Sequence, residues 1–232
     1  MISRIYVLES LGENERRTGK ELFDDVISKY NLYHKEEESI TVEYSQFKSM
    51  DDFSSILNKI KIEVDEHEEL ILHIEAHGSK NDIFFNSDDA NYSSWKSIFN
   101  ELSKINKKTR NNLHVAMVTC YGRHIHVDNI DIRMTSPYKT MISPSVEVYP
   151  KEIYDDYAVF YEEVVKTKDI VKGGHKLYEI NPDSNFVYQD TKLATNALVD
   201  MRYDSLCKKF NNDYYELKSL FERIYSINLD EL

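Results

Sequence analysis

Short β-rich runs alternate with segments of helical apolar spacing through the first half of the chain. That alternation limits the fold more than any other feature. Residues 5–8, 40–44, 70–74 and 113–118 are the runs. Between them, Leu22, Val26, Ile27 and Tyr30 lie at helical spacing, as do Phe53, Ile56, Leu57 and Ile60, and then Trp95, Ile98, Phe99, Leu102 and Ile105. Ser49 or Asp51 is placed to cap the second of these helices, and Ser93 or Ser94 the third. Strands that alternate with helices build βαβ units. Their crossovers are right-handed, so the sheet is mainly parallel and carries helices on both faces. Runs 70–74 and 113–118 are apolar almost throughout, as expected of central strands covered on both sides.

The second half is looser. Residues 121–138 show no periodicity and read as a long loop, a kind of segment that is often functional in a compact domain. Residues 140–142 suit a fifth strand and 186–188 a sixth, with 83–85 as a short accessory strand. Ile153, Tyr154, Tyr157, Ala158, Tyr161 and Val165 mark a helix. A further helix over 170–178 is weakened by Gly173-Gly174 and stopped at Asn181-Pro182. From Lys192 to about Ile227 the pattern is helical again, with Cys207 beside Leu206 and Phe210 as core. The expected division is a three-layer α/β domain with a mainly parallel six-strand sheet over 1–190, and a C-terminal helical extension over 191–232 packed on it.

Composition narrows the function classes. A formal net charge of −12 repels phosphate backbones and anionic headgroups, which disfavours direct nucleic-acid or membrane partners. Two cysteines, Cys120 and Cys207, cannot build a disulfide framework and fit a reducing compartment. Residues 1–5 lack the basic head of a secretory leader, with no long apolar run or small-residue cleavage site following. No stretch reaches the roughly 18 apolar residues of a membrane-spanning helix. The expectation is a soluble cytoplasmic protein.

In an open parallel sheet, ligands bind beyond the carboxyl ends of the strands. Run 70–74 continues into Glu75-Ala76-His77-Gly78, and run 113–118 into Thr119-Cys120-Tyr121-Gly122. Neighbouring strands lie about 4.8 Å apart, so a histidine and a cysteine at their tips can share one rim. A cysteine is a nucleophile as the thiolate, and an imidazole beside it takes up the proton or stabilises the anion. The backbone N–H groups of Gly78 and Cys120 are the expected oxyanion donors, with Gly78 permitting a sharp turn.

An apolar strand ending in His-Gly, followed about 40 residues later by an apolar strand ending in Cys, resembles the caspase-like cysteine peptidases. That group includes caspases, metacaspases, legumains, gingipains, separases and the bacterial CHAT peptidases. Cys120-Tyr121-Gly122 resembles the end of the caspase Gln-Ala-Cys-x-Gly signature, while Val118-Thr119 departs from its start. The Asp that often precedes the metacaspase cysteine is also absent. The stretch from Ile142-Ser143-Pro144 to Tyr161-Glu162-Glu163 resembles the CHAT pattern of a strand followed by an aromatic-rich helix. CHAT peptidases are the nearest resemblance, which covers residues 1–182. It implies a caspase-like fold and a His77–Cys120 dyad that needs no acidic partner, metal or organic cofactor. It also implies cleavage of a protein substrate within a bacterial signalling or anti-phage assembly, where a separate sensor or regulatory protein supplies the trigger.

Substrate is expected to add as a strand beside Ile142-Ser143-Pro144-Ser145, with Ser143 in contact. Glu9, at the tip of the first strand, is expected near the pocket floor, where an unpaired carboxylate selects a substrate Arg or Lys. The equally ordinary role for Glu9 is to cap Arg4, Arg16 or a helix end. Asp128 and Asp131 are the alternative pocket acids. Two other classes compete with a peptidase. One is an inactive interaction module of the same fold. The other is a zinc site from His73, His77, Cys120, His124 and His126, although no tight Cys-x-x-Cys pair supports it. Pairing with Asp128 and Asp131 is the plainer account of His124 and His126.

Overall fold

The computed structural model describes residues 1–29, 39–127 and 136–192. Asp128, Asp131, Cys207 and all but the first two residues of the expected C-terminal extension lie outside them. The chain builds an α/β fold around one mixed sheet ordered β2-β1-β3-β6-β7-β8. Its strands are β1 (Ile2–Ser10), β2 (Thr41–Gln46), β3 (Glu69–Gly78), β6 (Leu113–Val118), β7 (Thr140–Pro144) and β8 (Phe186–Asp190). Pairs β1–β2, β1–β3, β3–β6 and β6–β7 are parallel, and β7–β8 is antiparallel.

The expected accessory strand at 83–85 is one arm of a hairpin, β4 (Asp82–Phe85) and β5 (Asp88–Ser94), which pairs with the tip of β3. β5 reads Asp-Asp-Ala-Asn-Tyr-Ser-Ser. It buries none of its side chains, so it carries no apolar alternation to find.

Helices cover both faces. On one face α2 (Met50–Glu63) and α3 (Trp95–Lys108) bury Phe53, Leu57, Ile98, Phe99 and Leu102 against Leu70, Leu72, Val115 and Met117. The Ser49 and Ser94 hydroxyls accept the Asp52 and Ser97 N–H groups, so both helices start where expected. On the other face lie α1 (Thr18–Leu22), which runs into a π-helical turn (Phe23–Ile27), then α5 (Pro150–Thr167) and α6 (Ile170–Ile180). Their Leu22, Tyr157, Phe160, Tyr161 and Leu177 pack with Ile71, Ala116, Val118 and Ile142. Alternate residues of β3 and β6 thus feed two separate cores, which explains their unbroken apolar sequence.

Two local expectations change. Gly173 does not weaken α6. A Cβ there would meet the Val164 side chain and lie 3.0 Å from the Phe160 carbonyl, so the glycine lets α6 press against α5. The loop expected over 121–138 contains a helical turn, α4 (His124–Val127). No described helix is long and apolar enough to cross a membrane.

Glu69 ties the amino-end rim of the sheet. His114 of β6 and Lys139 beside β7 reach its carboxylate at 3.0 and 2.7 Å. The His114 hydrogen bond, reinforced by Lys139, holds that carboxyl well below the usual carboxylate range despite partial burial. A depressed pKa adds stability that is present above the ordinary value of 4.5 and is lost as pH falls through the folded value. Glu69→Gln is therefore expected to cost about 1.5–3 kcal/mol at neutral pH. In denaturant titrations across pH, the gap to wild type should close on acidification below about pH 4.

Candidate active site

The registered ladder between β3 and β6 ends at Glu75 opposite Val118. Beyond it, Ala76-His77-Gly78 and Thr119-Cys120 form neighbouring tips at the carboxyl edge. The β4–β5 hairpin braces the first tip through pairs His77–Phe84 and Gly78–Ile83. Gly78 has no positive φ, so it does not supply the sharp turn expected of it. It is there for close approach. A Cβ at 78 would lie 2.5 Å from Thr119 Cγ2 and 2.6 Å from the Cys120 carbonyl oxygen. Past Cys120 the chain turns through Tyr121, a non-glycine residue at φ 58°. The Gly122 N–H closes the turn on the Thr119 carbonyl at 2.8 Å, and the Tyr121 N–H donates to Val146 at 3.1 Å.

His77 and Cys120 open onto one pocket of about 180 Å³. Its apolar wall is Leu11, Val118, Val148, Pro150 and Ile153, and its polar groups are Glu15, Arg16, Glu75, His77 and Cys120. The volume is small beside the roughly 300–1,000 Å³ of small-molecule sites and suits a single side chain. No hydrogen bond joins His77 to Cys120 among the described residues. Cys120 Sγ lies 3.5 Å from the Val148 N–H and 3.7 Å from its carbonyl. A thiol can donate to that carbonyl and a thiolate can accept from that N–H, so the sulfur has a partner in either state. His77 Nε2 meets Glu15 Oε1 at 2.9 Å.

The other candidate residues separate. Glu9 is buried at the tip of β1, as expected, but it does not line the pocket. The Tyr44 hydroxyl donates to it at 2.6 Å and the Lys20 N–H at 3.1 Å, so it is tied to β2 and α1. Burial pushes its carboxyl above the usual range, and nearby Glu75 adds to that, against these two hydrogen bonds. Glu75 is the buried carboxylate that does line the pocket, at 2% exposure. It accepts the Thr18 hydroxyl, while its Oε2 has no hydrogen-bond donor and His73 Nε2 stands 3.6 Å away.

The expected substrate edge is also corrected. Ile142, Ser143 and Pro144 pair with Tyr188, Val187 and Phe186, so the chain's own β8 fills the edge where a substrate strand was expected. Ser143 is buried in β7. His73 does share a strand face with His77, but it is enclosed, with Nδ1 3.1 Å from the Tyr161 hydroxyl. The His124 ring rests against Tyr121, and the His126 side chain is outside the described set. Among the described residues no three His, Cys, Asp or Glu side chains converge as metal ligands.

Sequence reasoning missed two pocket acids. Glu75 precedes His77 by one pleat repeat on the same strand face, so its position was readable. Glu15 sits in the aperiodic segment between β1 and α1, and no local pattern marks it. No protein-family model matches the chain, and no curated protein matches it.

Gly78→Ala tests the close approach. The added methyl meets backbone, which cannot swing aside as a side-chain end can. The expected cost is about 1–3 kcal/mol of stability in denaturant titration, with loss of whatever chemistry depends on the spacing of the two tips. A variant of unchanged stability would mean the tips part freely.

Proposed function

We propose that the protein is a cysteine endopeptidase of the caspase-like type, with Cys120 as nucleophile and His77 as acid and base. The observation that carries this reading is the placement of both side chains on one pocket at the carboxyl ends of adjacent parallel strands. The Cys120 thiolate attacks the scissile carbonyl carbon, and the carbonyl oxygen becomes an oxyanion. The N–H groups of Cys120 and Gly78 are the donors assigned to it. Collapse breaks the C–N bond, and the His77 imidazolium gives its proton to the leaving amine. The neutral imidazole then takes a proton from water, whose hydroxide attacks the thioester and releases the acid and the Cys120 thiolate. Each step uses groups the chain itself carries.

The resemblance to CHAT peptidases extends this to a protein substrate, a separate sensor or regulatory partner and a role in a bacterial defence or signalling assembly. Cys120→Ala and His77→Ala are each expected to abolish cleavage of a fluorogenic peptide or protein substrate while the fold is retained, because nucleophile and base act as one unit. Cleavage at the wild-type rate by Cys120→Ala would sink the assignment. A chelator that removed activity would move weight to the zinc reading, and activity in no condition to the interaction module.

Substrate choice follows from the pocket acid. Arg16 is already held by Glu21 through contacts of 2.7 to 3.2 Å, so its charge is met. Glu75 Oε2 has no hydrogen-bond donor, with His73 Nε2 standing 3.6 Å away. The expected preference before the scissile bond is Arg or Lys, weakened about ten-fold or more in Glu75→Gln. A positional-scanning peptide library reads this out. Preference for Asp or Glu would instead assign the pocket to Arg16.

A further inference from the structure

We propose that Glu15 is the positioning residue for His77, making the working unit a Glu15–His77–Cys120 triad; the inference rests on the peptidase reading above. The geometry is specific. Glu15 Oε1 is 2.9 Å from His77 Nε2, and the second carboxylate oxygen is held independently. The Gly12 N–H donates to Oε2 at 2.7 Å, and the Ser87 hydroxyl donates to the same oxygen. An ionised carboxylate only accepts hydrogen bonds, so the Nε2 facing it carries the hydrogen. That fixes the tautomer of neutral His77 and leaves Nδ1 as the nitrogen that takes and returns the catalytic proton.

Stability alone does not account for the arrangement. The His77 and Glu15 side chains are 47% and 36% exposed, and an ion pair so open to solvent is worth only about 0–1 kcal/mol. The surrounding chain is nevertheless arranged to hold it. Asn86 and Ser87, in the turn between β4 and β5, both hold left-handed φ values of 54° and 55° without being glycine. Positive φ at both central positions is the type I′ geometry of a two-residue hairpin, which Asn favours. The turn delivers the Ser87 hydroxyl, which accepts the Gly12 N–H at 2.8 Å as well as donating to Glu15. It is pinned to the sheet by the Asn86 N–H, which donates to Ser10 Oγ at 2.9 Å. Gly12 leaves room for the same contact, since a Cβ there would crowd Ser87 Oγ at 3.0 Å and Glu15 Oε2 at 3.2 Å. Partial burial alone would raise the Glu15 carboxyl. Hydrogen bonds from Ser87, Gly12 and His77 outweigh it and hold the group below the usual range, ionised at neutral pH. The β4–β5 hairpin, which pairs with the strand carrying His77, thus also holds the carboxylate that orients the ring.

The test uses the full chain and needs no substrate at first. The rate of Cys120 alkylation by iodoacetamide, resolved by peptide mass spectrometry, is measured from pH 5 to 9 in wild type, His77→Ala, Glu15→Gln, Glu15→Ala and Ser87→Ala. The expected result is a pH profile for Glu15→Gln and Glu15→Ala displaced toward that of His77→Ala, an intermediate profile for Ser87→Ala, and unfolding midpoints close to wild type throughout. Nitrogen-15 NMR of neutral His77 should report the Nε2–H tautomer in wild type and a mixture in Glu15→Ala. Once a substrate is in hand, kcat should fall about 10²-fold with KM little changed, as for a misplaced catalytic group. A wild-type alkylation profile and tautomer in both Glu15 variants would overturn the proposal and leave the dyad standing. An alkylation profile indifferent to His77→Ala would instead overturn the dyad, and the role of Glu15 with it.

Discussion

The parallel ladder between β3 and β6 is the contact on which the site depends. It runs in register from Leu70 opposite Leu113 to Glu75 opposite Val118. Because the strands run the same way, both send their carboxyl ends to one rim. An antiparallel pair would have put the tip bearing His77 against the start of its partner. The ladder's rigidity comes from the two cores it separates, since every residue of β6 is buried and β3 is buried from Leu70 to Ala76. At the rim the backbones come closer still. The absent side chain of Gly78 lets the Cys120 carbonyl pass where a methyl group would stand, which sets the spacing of the two tips.

Behind the rim lies an unusual amount of buried polarity. Glu9, Glu75, His73 and Thr18 are all under 3% exposed. A carboxylate with an unmet oxygen is costly inside a protein, by about 1–3 kcal/mol or more for a charged group. Core packing would be served better by apolar residues at 73 and 75, where the strand otherwise carries Leu, Ile and Ala. Glu75 and Glu9 instead lie under α1, and a Cβ on Gly19 would fall 2.7 Å from Glu75 Oε2 and 3.1 Å from Glu9 Oε1. The short α1 rests on a polar bed beside the pocket, and it passes at once into a π-helical turn, a feature frequent at functional sites.

How legible this was in the sequence depends on how local the signal is. β1, β2, β3 and β6, and helices α2 and α3, follow from periodicity and capping residues, because each is specified by its own side chains. β5 was invisible, being a polar strand that exists only because β4 and the tip of β3 offer it a partner. The antiparallel direction of β8 was likewise not written in residues 186–190, since an apolar triplet has no orientation. Within the candidate site, His77 and Cys120 could be singled out because they end recognisable strands. Glu9 was placed at the right strand tip but assigned the wrong neighbour, since Tyr44 and the Lys20 N–H claim its oxygens first. Glu15 depends on a turn some seventy residues away in sequence, and no window reading spans that distance.

The closing of the sheet by β8 also shapes what can enter the pocket. With the 140–144 edge paired, the backbone that remains near Cys120 is the stretch from 145 to 149, which leads into α5. Val146 receives the Tyr121 N–H, and Val148 flanks the sulfur with both its N–H and its carbonyl. Tyr149 then starts α5, where Glu152 reaches back to the Tyr149 N–H at 2.9 Å and fixes the entry of the helix. The first turn of this 18-residue helix, through Pro150 and Ile153, is part of the pocket wall. The same short segment therefore holds the Cys120 sulfur, bounds the cavity and begins a helix whose unpaired N–H groups favour negative charge nearby. A thiol at 120 can donate to the Val148 carbonyl and a thiolate can accept from its N–H, so this segment offers the sulfur a partner in either state.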